Sequence, residues 1–100
     1  MNNTINQLVK QVEQWSINKN LHNSNSDRQA LKFYEEAGEV AAALSRNDKE
    51  ALKDGIGDTI VTLIILAQQQ GWTLEGCLQY AYDEIKNRKG KTINGTFIKD

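Results

Sequence analysis

One hundred residues with a formal net charge of −1 make a single domain, residues 1–100, with a modest core. That balance provides no global field to draw in a nucleic acid polymer or an anionic membrane. The lone cysteine, Cys77, excludes an internal disulfide; with no apolar leader and no apolar run long enough to span a bilayer, a reducing cytoplasm is expected.

The chain has no proline, which favours long helices. Ile5, Leu8, Val9, Val12 and Trp15 recur at helical spacing, predicting an amphipathic helix over roughly residues 3–17. Asn18 to Asn25 is rich in asparagine and serine and reads as a loop. Ser26-Asp27-Arg28-Gln29 has the pattern of a capping box, with Gln29 reaching back, and opens a second helix to about Leu44. Asn47-Asp48-Lys49-Glu50 starts a third, which runs to Gln70 and stops at Gly71. Its length is about 34 Å at the usual helical rise.

Within that third helix, Ile60 to Ala67 is apolar nearly all round, with Thr62 the polar exception. Such a helix must be covered on every side, and a second subunit is the expected cover. Thr73 caps a fourth helix to about Lys89, ended by Gly90. The tail carries Asn94-Gly95 between Ile93 and Thr96-Phe97-Ile98, which reads as a short hairpin or an ordered arm. The expected class is all-α: a four-helix bundle that dimerises through long apolar helices, with a short C-terminal arm.

Five carboxylates crowd two of these helices. Glu35, Glu36 and Glu39 lie on the second; Asp54 and Asp58 lie on the third. Glu36 and Glu39 are spaced i, i+3, and Asp54 and Asp58 are spaced i, i+4, so each pair shares a face. Gln29, Lys32, Glu36, Glu39 and Ala43 form one stripe bordered by Phe33, Val40 and Leu44, while Asp54 and Asp58 share a face with Ala51, Val61 and Ile65. Aspartate is also a poor residue for a helix interior. Solvated acidic faces are the bland alternative. Carboxylates in line with core positions instead point to a metal site, because clustered acids resist burial without a cation. Oxygen-only ligands select hard cations, and Mg²⁺ is the common choice where phosphates are handled.

Three glycines lie beside the acids: Gly38, Gly55 and Gly57. Each costs about 1 kcal/mol relative to alanine inside a helix, so close helix packing or room for a ligand must offset them. Lys86, Asn87, Arg88, Lys89 and Lys91 cluster at the end of the fourth helix. They either complement its dipole or hold a polyphosphate beside the metal. Lys32 either screens the carboxylates or touches a phosphate. Trp15 serves either core packing or stacking on a base. Trp72 reads as structural, Tyr80 and Tyr82 are ambiguous, His22 has no partner pattern, and Cys77 reads as a small core residue.

The segment Gln29-x-x-Lys32-x-x-Glu35-Glu36-x-Gly38-Glu39, followed by Ile56-Gly57-Asp58, resembles the MazG-like nucleoside triphosphate pyrophosphohydrolases of the all-α NTP pyrophosphatase superfamily. Trp15, Arg88-x-Gly90-Lys91 and Gly95-x-Phe97-x-Lys99 are similar to the short MazG-like proteins of phages and mobile elements. The resemblance implies a helical dimer or tetramer. It implies Mg²⁺-dependent hydrolysis of (deoxy)nucleoside triphosphates to monophosphate and pyrophosphate, often described as house-cleaning of nucleotide pools. It further implies Glu36, Glu39, Asp54 and Asp58 as metal ligands and Glu35 as the base. Trp15, Gln29, Lys32, Lys86, Asn87, Arg88 and Lys91 would contact substrate. One position departs from the family pattern: Gly55 stands where a glutamate is expected three residues before Asp58, and Asp54 is the candidate replacement. That departure keeps two other readings open: a catalytically weak nucleotide- or metal-binding module, or a helical dimer that regulates a partner.

Overall fold

The computed structural model describes residues 2–100 and places four helices before a two-stranded hairpin. Helix α1 spans Ile5–Asn18, α2 Ser26–Ser45, α3 Lys49–Gln69 and α4 Leu74–Ile85. Strands β1, Gly90–Ile93, and β2, Thr96–Lys99, pair antiparallel, with Gly90 opposite Lys99 and Ile93 opposite Thr96. The all-α expectation is met, and the tail takes the hairpin form. Asn94 and Gly95 both have positive φ, the two-residue turn that matches strand twist.

Local chemistry sets the boundaries, not always as expected. The capping box belongs to α1, where Thr4 Oγ1 accepts from the Gln7 N–H and Gln7 Oε1 accepts from the Thr4 N–H. Helix α2 is capped by Asn25, whose side chain accepts from the Arg28 N–H at 3.1 Å. Ser26 and Gln29 are thereby freed for tertiary contacts. Asp48 caps α3 and Thr73 caps α4, and Gly71 ends the α3 corner at φ +82°. Helix α4 stops at Ile85, four residues short of the sequence expectation. Its basic residues lie in a turn, because Gly90 is drawn into the hairpin. A Cβ there would run into the Ile98 carbonyl and the Phe97 ring.

The short link after Ser45 folds α3 back onto α2, and these two helices share the largest interface. Helix α1 and the 3-10 turn Leu21–Asn23 pack on α3 beside them. Ala43, Ile64, Ile65 and Ala67 form the buried apolar centre. Glutamines stitch the far end: Gln68 donates to the Glu13 carbonyl, Gln69 to the Leu21 carbonyl, and Ser26 donates to Gln69 Oε1.

The apolar run of α3 is therefore covered mostly by its own chain, with Thr62, Ile64, Ile65 and Ala67 buried. The uncovered apolar surface lies on α4 instead. None of its residues is buried, and Leu78, Tyr80, Tyr82 and Ile85 are exposed. Helix α4 packs mainly on α3, and sparsely, while the two strands of the hairpin pair with each other. This projecting arm raises the radius of gyration to 15.7 Å, against about 13 Å for a compact chain of this length. Among the described residues, no helix is long and apolar enough to cross a membrane.

Candidate functional site

The carboxylates lie along the α2–α3 interface, where Gly55 on α3 packs against Val40 on α2. A Cβ on this buried glycine would sit 3.1 Å from Val40 Cγ2 on α2. Gly38 and Gly57 differ: a Cβ at either would meet nothing within 4 Å, so neither is needed for packing.

Glu39 from α2 and Asp54 and Asp58 from α3 line one cleft of about 300 Å³, together with Ala42, Arg46 and Gly55. Glu36 lies one turn before Glu39 and is buried at 8% exposure. Its Oε1 pairs with Lys32 Nζ at 3.2 Å, while its Oε2 is buried with no partner among the described residues. A buried carboxylate oxygen left unsatisfied is costly; it is a natural point for a cation or donor. Asp58 is exposed, yet desolvation by its neighbours, and then the Asp54 and Glu36 charges, raise its pKa above its ordinary value, with Lys32 pulling the other way. Acids from both helices thus feel one another across the interface.

Among the described residues, no three acidic, histidine or cysteine side chains close on one metal-sized point. The donor set nonetheless suits a hard divalent cation: Glu39, Asp54 and Asp58 line one cleft with oxygen donors only, and Glu36, one turn away, has a buried unpaired oxygen. Glu35 stands apart. Its side chain is 65% exposed, and its ion-pair contact is Lys32 at 3.9 Å. Lys32 screens the acids; its hydrogen bond to Glu36 and then the Glu35 charge raise its pKa.

The remaining candidates scatter. Gln29 is buried and donates to the Thr62 carbonyl at 3.1 Å, so its amide nitrogen staples α2 to α3. Trp15 is 48% exposed at the end of α1, more than core packing would leave it. Lys86, Asn87, Arg88 and Lys91 lie on the projecting arm, where Lys86 pairs with Asp83 at 3.2 Å. Nothing in the packing of α4 or the hairpin brings them to the acidic cleft. Trp72, Tyr80 and Cys77 line a separate apolar groove of about 830 Å³ at the α3–α4 corner. His22 sits in the 3-10 turn with its Nδ1 buried and unpartnered.

Two cations escaped the sequence reading. Arg46 lines the acidic cleft from the C-terminal end of α2, and Lys53 lines the neighbouring groove between α1 and α3. The signal for Arg46 was available: it follows Glu39 by seven residues, two helical turns on the same face.

The geometry is that of a helical domain with an acidic cleft, and comparison with known proteins gives its family. Residues 25–93 match the MazG nucleotide pyrophosphohydrolase domain, and the chain belongs to that family. The matched span holds every carboxylate of the cleft and the basic turn, but not Trp15. The chain is also 41% identical over 64 residues to an uncharacterized 18.2 kDa protein of the rep–hol intergenic region of Haemophilus phage HP1. That match covers 63% of this chain and 39% of the phage protein, so the chain spans well under two thirds of its relative.

Proposed function

We propose that this chain hydrolyses (deoxy)nucleoside triphosphates to monophosphate and pyrophosphate with Mg²⁺, as a homodimer, in nucleotide-pool house-cleaning. The observation that carries this reading is the acidic α2–α3 cleft, with the unpartnered Glu36 Oε2 one turn from Glu39, within a MazG domain. Glu36, Glu39, Asp54 and Asp58 would hold the metal. When bound, Mg²⁺ screens the phosphates and lowers the pKa of bound water.

Glu35, exposed and paired with Lys32, takes the proton of the attacking water. The water oxygen bonds to the α-phosphorus. The bond from that phosphorus to the α–β bridging oxygen breaks, and its electron pair leaves with pyrophosphate. Arg46 lines this cleft and binds the phosphate charge. Dimerisation is supported by α4, which leaves Leu78, Tyr80, Tyr82 and Ile85 exposed.

Gly55 favours a second reading. With a glycine facing Val40 at the family's glutamate position, the domain binds nucleotide and metal but turns over weakly. Incubation with a panel of triphosphates and Mg²⁺, followed by product identification, separates the two. Monophosphate and pyrophosphate support the hydrolase; tight nucleotide binding without products supports the weak module.

A further inference from the structure

Three buried polar atoms outside the acidic cleft have no partner among the described residues: Ser16 Oγ, His22 Nδ1 and Gln68 Oε1. Ser16 is fully buried, near the end of α1. A helical serine commonly returns its hydroxyl to the carbonyl four residues back, and Ser16 makes no such bond. A buried polar group left unpaired is costly, so three of them call for a common cause.

Their neighbours bring them together. Gln68 Nε2 donates to the Glu13 carbonyl at 3.0 Å, which sets the amide against α1 one turn before Ser16. Helical side chains lean toward the N-terminus, so the Ser16 hydroxyl points back over the turn that holds Glu13. The adjacent Gln69 donates Nε2 to the Leu21 carbonyl at 2.9 Å, and His22 follows directly in the 3-10 turn. That turn packs on both α1 and α3. The three atoms thus converge on the junction of α1, the 3-10 turn and the end of α3, about 15 Å along α3 from Asp58.

Their hydrogen-bonding capacities complement one small molecule. The Glu13 carbonyl fixes the Gln68 amide, because only its nitrogen can donate there; Oε1 is left as an acceptor. With the ring proton on Nε2, His22 Nδ1 is an acceptor too, and the Ser16 hydroxyl is a donor. A water molecule gives two protons and accepts one. A metal cation would lack an anionic ligand among these three atoms, and an anion would meet two acceptors.

We propose that one internal water molecule binds at this junction, donating to Gln68 Oε1 and His22 Nδ1 and accepting from the Ser16 hydroxyl. Three hydrogen bonds are typical of a buried water. The water joins segments distant in sequence and holds the last turns of α1, which carry Trp15, to the end of α3. Ser26, which donates to Gln69 Oε1, continues the network to the start of α2.

Two experiments on the full chain test it. A high-resolution crystal structure should show one ordered water within hydrogen-bond distance of all three atoms. An empty site overturns the proposal, as does a direct hydrogen bond from Ser16 to His22 or Gln68. In solution, Ser16→Ala and His22→Phe should each lower the urea midpoint. The double variant should lower it by clearly less than the sum, because either change alone removes the shared water. Additive shifts, or no shift in either single variant, overturn the proposal. His22→Asn keeps an acceptor near the place of Nδ1 and should lie close to the wild type; a loss equal to that of His22→Phe overturns the assignment of Nδ1.

Discussion

The α1–α3 body and the α4–hairpin arm are built from similar proportions of apolar residues, yet they end in opposite states. The body buries Ile64, Ile65, Ala67 and Ala43 and draws its polar glutamines into defined hydrogen bonds. The arm has a well-formed amphipathic helix and a well-formed turn, and it buries nothing. Secondary structure therefore requires only local signals, while burial requires a partner element. A two-stranded hairpin has little stability alone, so the arm's missing partner is the informative feature of the fold.

Breaking the body should be global. Ile64→Asp puts a charge into the buried α3 face and should unfold the whole chain, seen as loss of helical circular dichroism. The milder Ile64→Ala should cost about 2–5 kcal/mol in denaturant titration. Breaking the arm should be local. Leu78→Glu should leave the helical signal intact and convert the dimer to monomer in sedimentation. A stable, active monomer of the wild-type chain would remove the basis for the arm's role.

Smaller effects sharpen the contrast at the cleft. Asp54→Asn should lower turnover roughly tenfold and raise the magnesium concentration needed for half activity. Unchanged activity across a magnesium titration would leave the site with three carboxylates. Asp58 gives the smallest effect, in the metal-free protein. Its folded pKa is raised, so on raising the pH the unfolded chain releases this proton first and stability falls through that interval. Metal-free protein should therefore gain stability as the pH drops toward the raised value. Asp58→Asn should remove that part of the gain and hold or slightly raise the melting temperature near neutrality. A clear loss of stability in Asp58→Asn at neutral pH would contradict the repulsion.

Much of this was legible in the sequence, for identifiable reasons. Helix periodicity, the start signal at Asn47-Asp48-Lys49-Glu50, the Thr73 cap, the Gly71 stop and the Asn94-Gly95 turn are local signals, and each acts where expected. The facing of Glu39, Asp54 and Asp58 follows from i, i+3 and i, i+4 spacing once two helices pair. What local pattern could not supply was competition between partners. Gln29 fits a capping box, but Asn25 takes the cap and the Thr62 carbonyl takes the glutamine. Gly90 fits a helix stop, but cross-strand packing under Phe97 claims it and shortens α4. The apolar run Ile60 to Ala67 suggested a subunit interface, yet α1 and α2 cover most of it. Gly55 read as a missing ligand, and its contact with Val40 gives it a packing role.

The most direct test of the central claim is product analysis with a nucleoside triphosphate and Mg²⁺, comparing wild type with Asp58→Asn. The account predicts monophosphate and pyrophosphate in equal amounts from the wild type. It predicts a loss on the order of 10²–10³-fold in the variant, with helical content unchanged. Release of orthophosphate and diphosphate by the wild type, or undiminished turnover in Asp58→Asn, would contradict it.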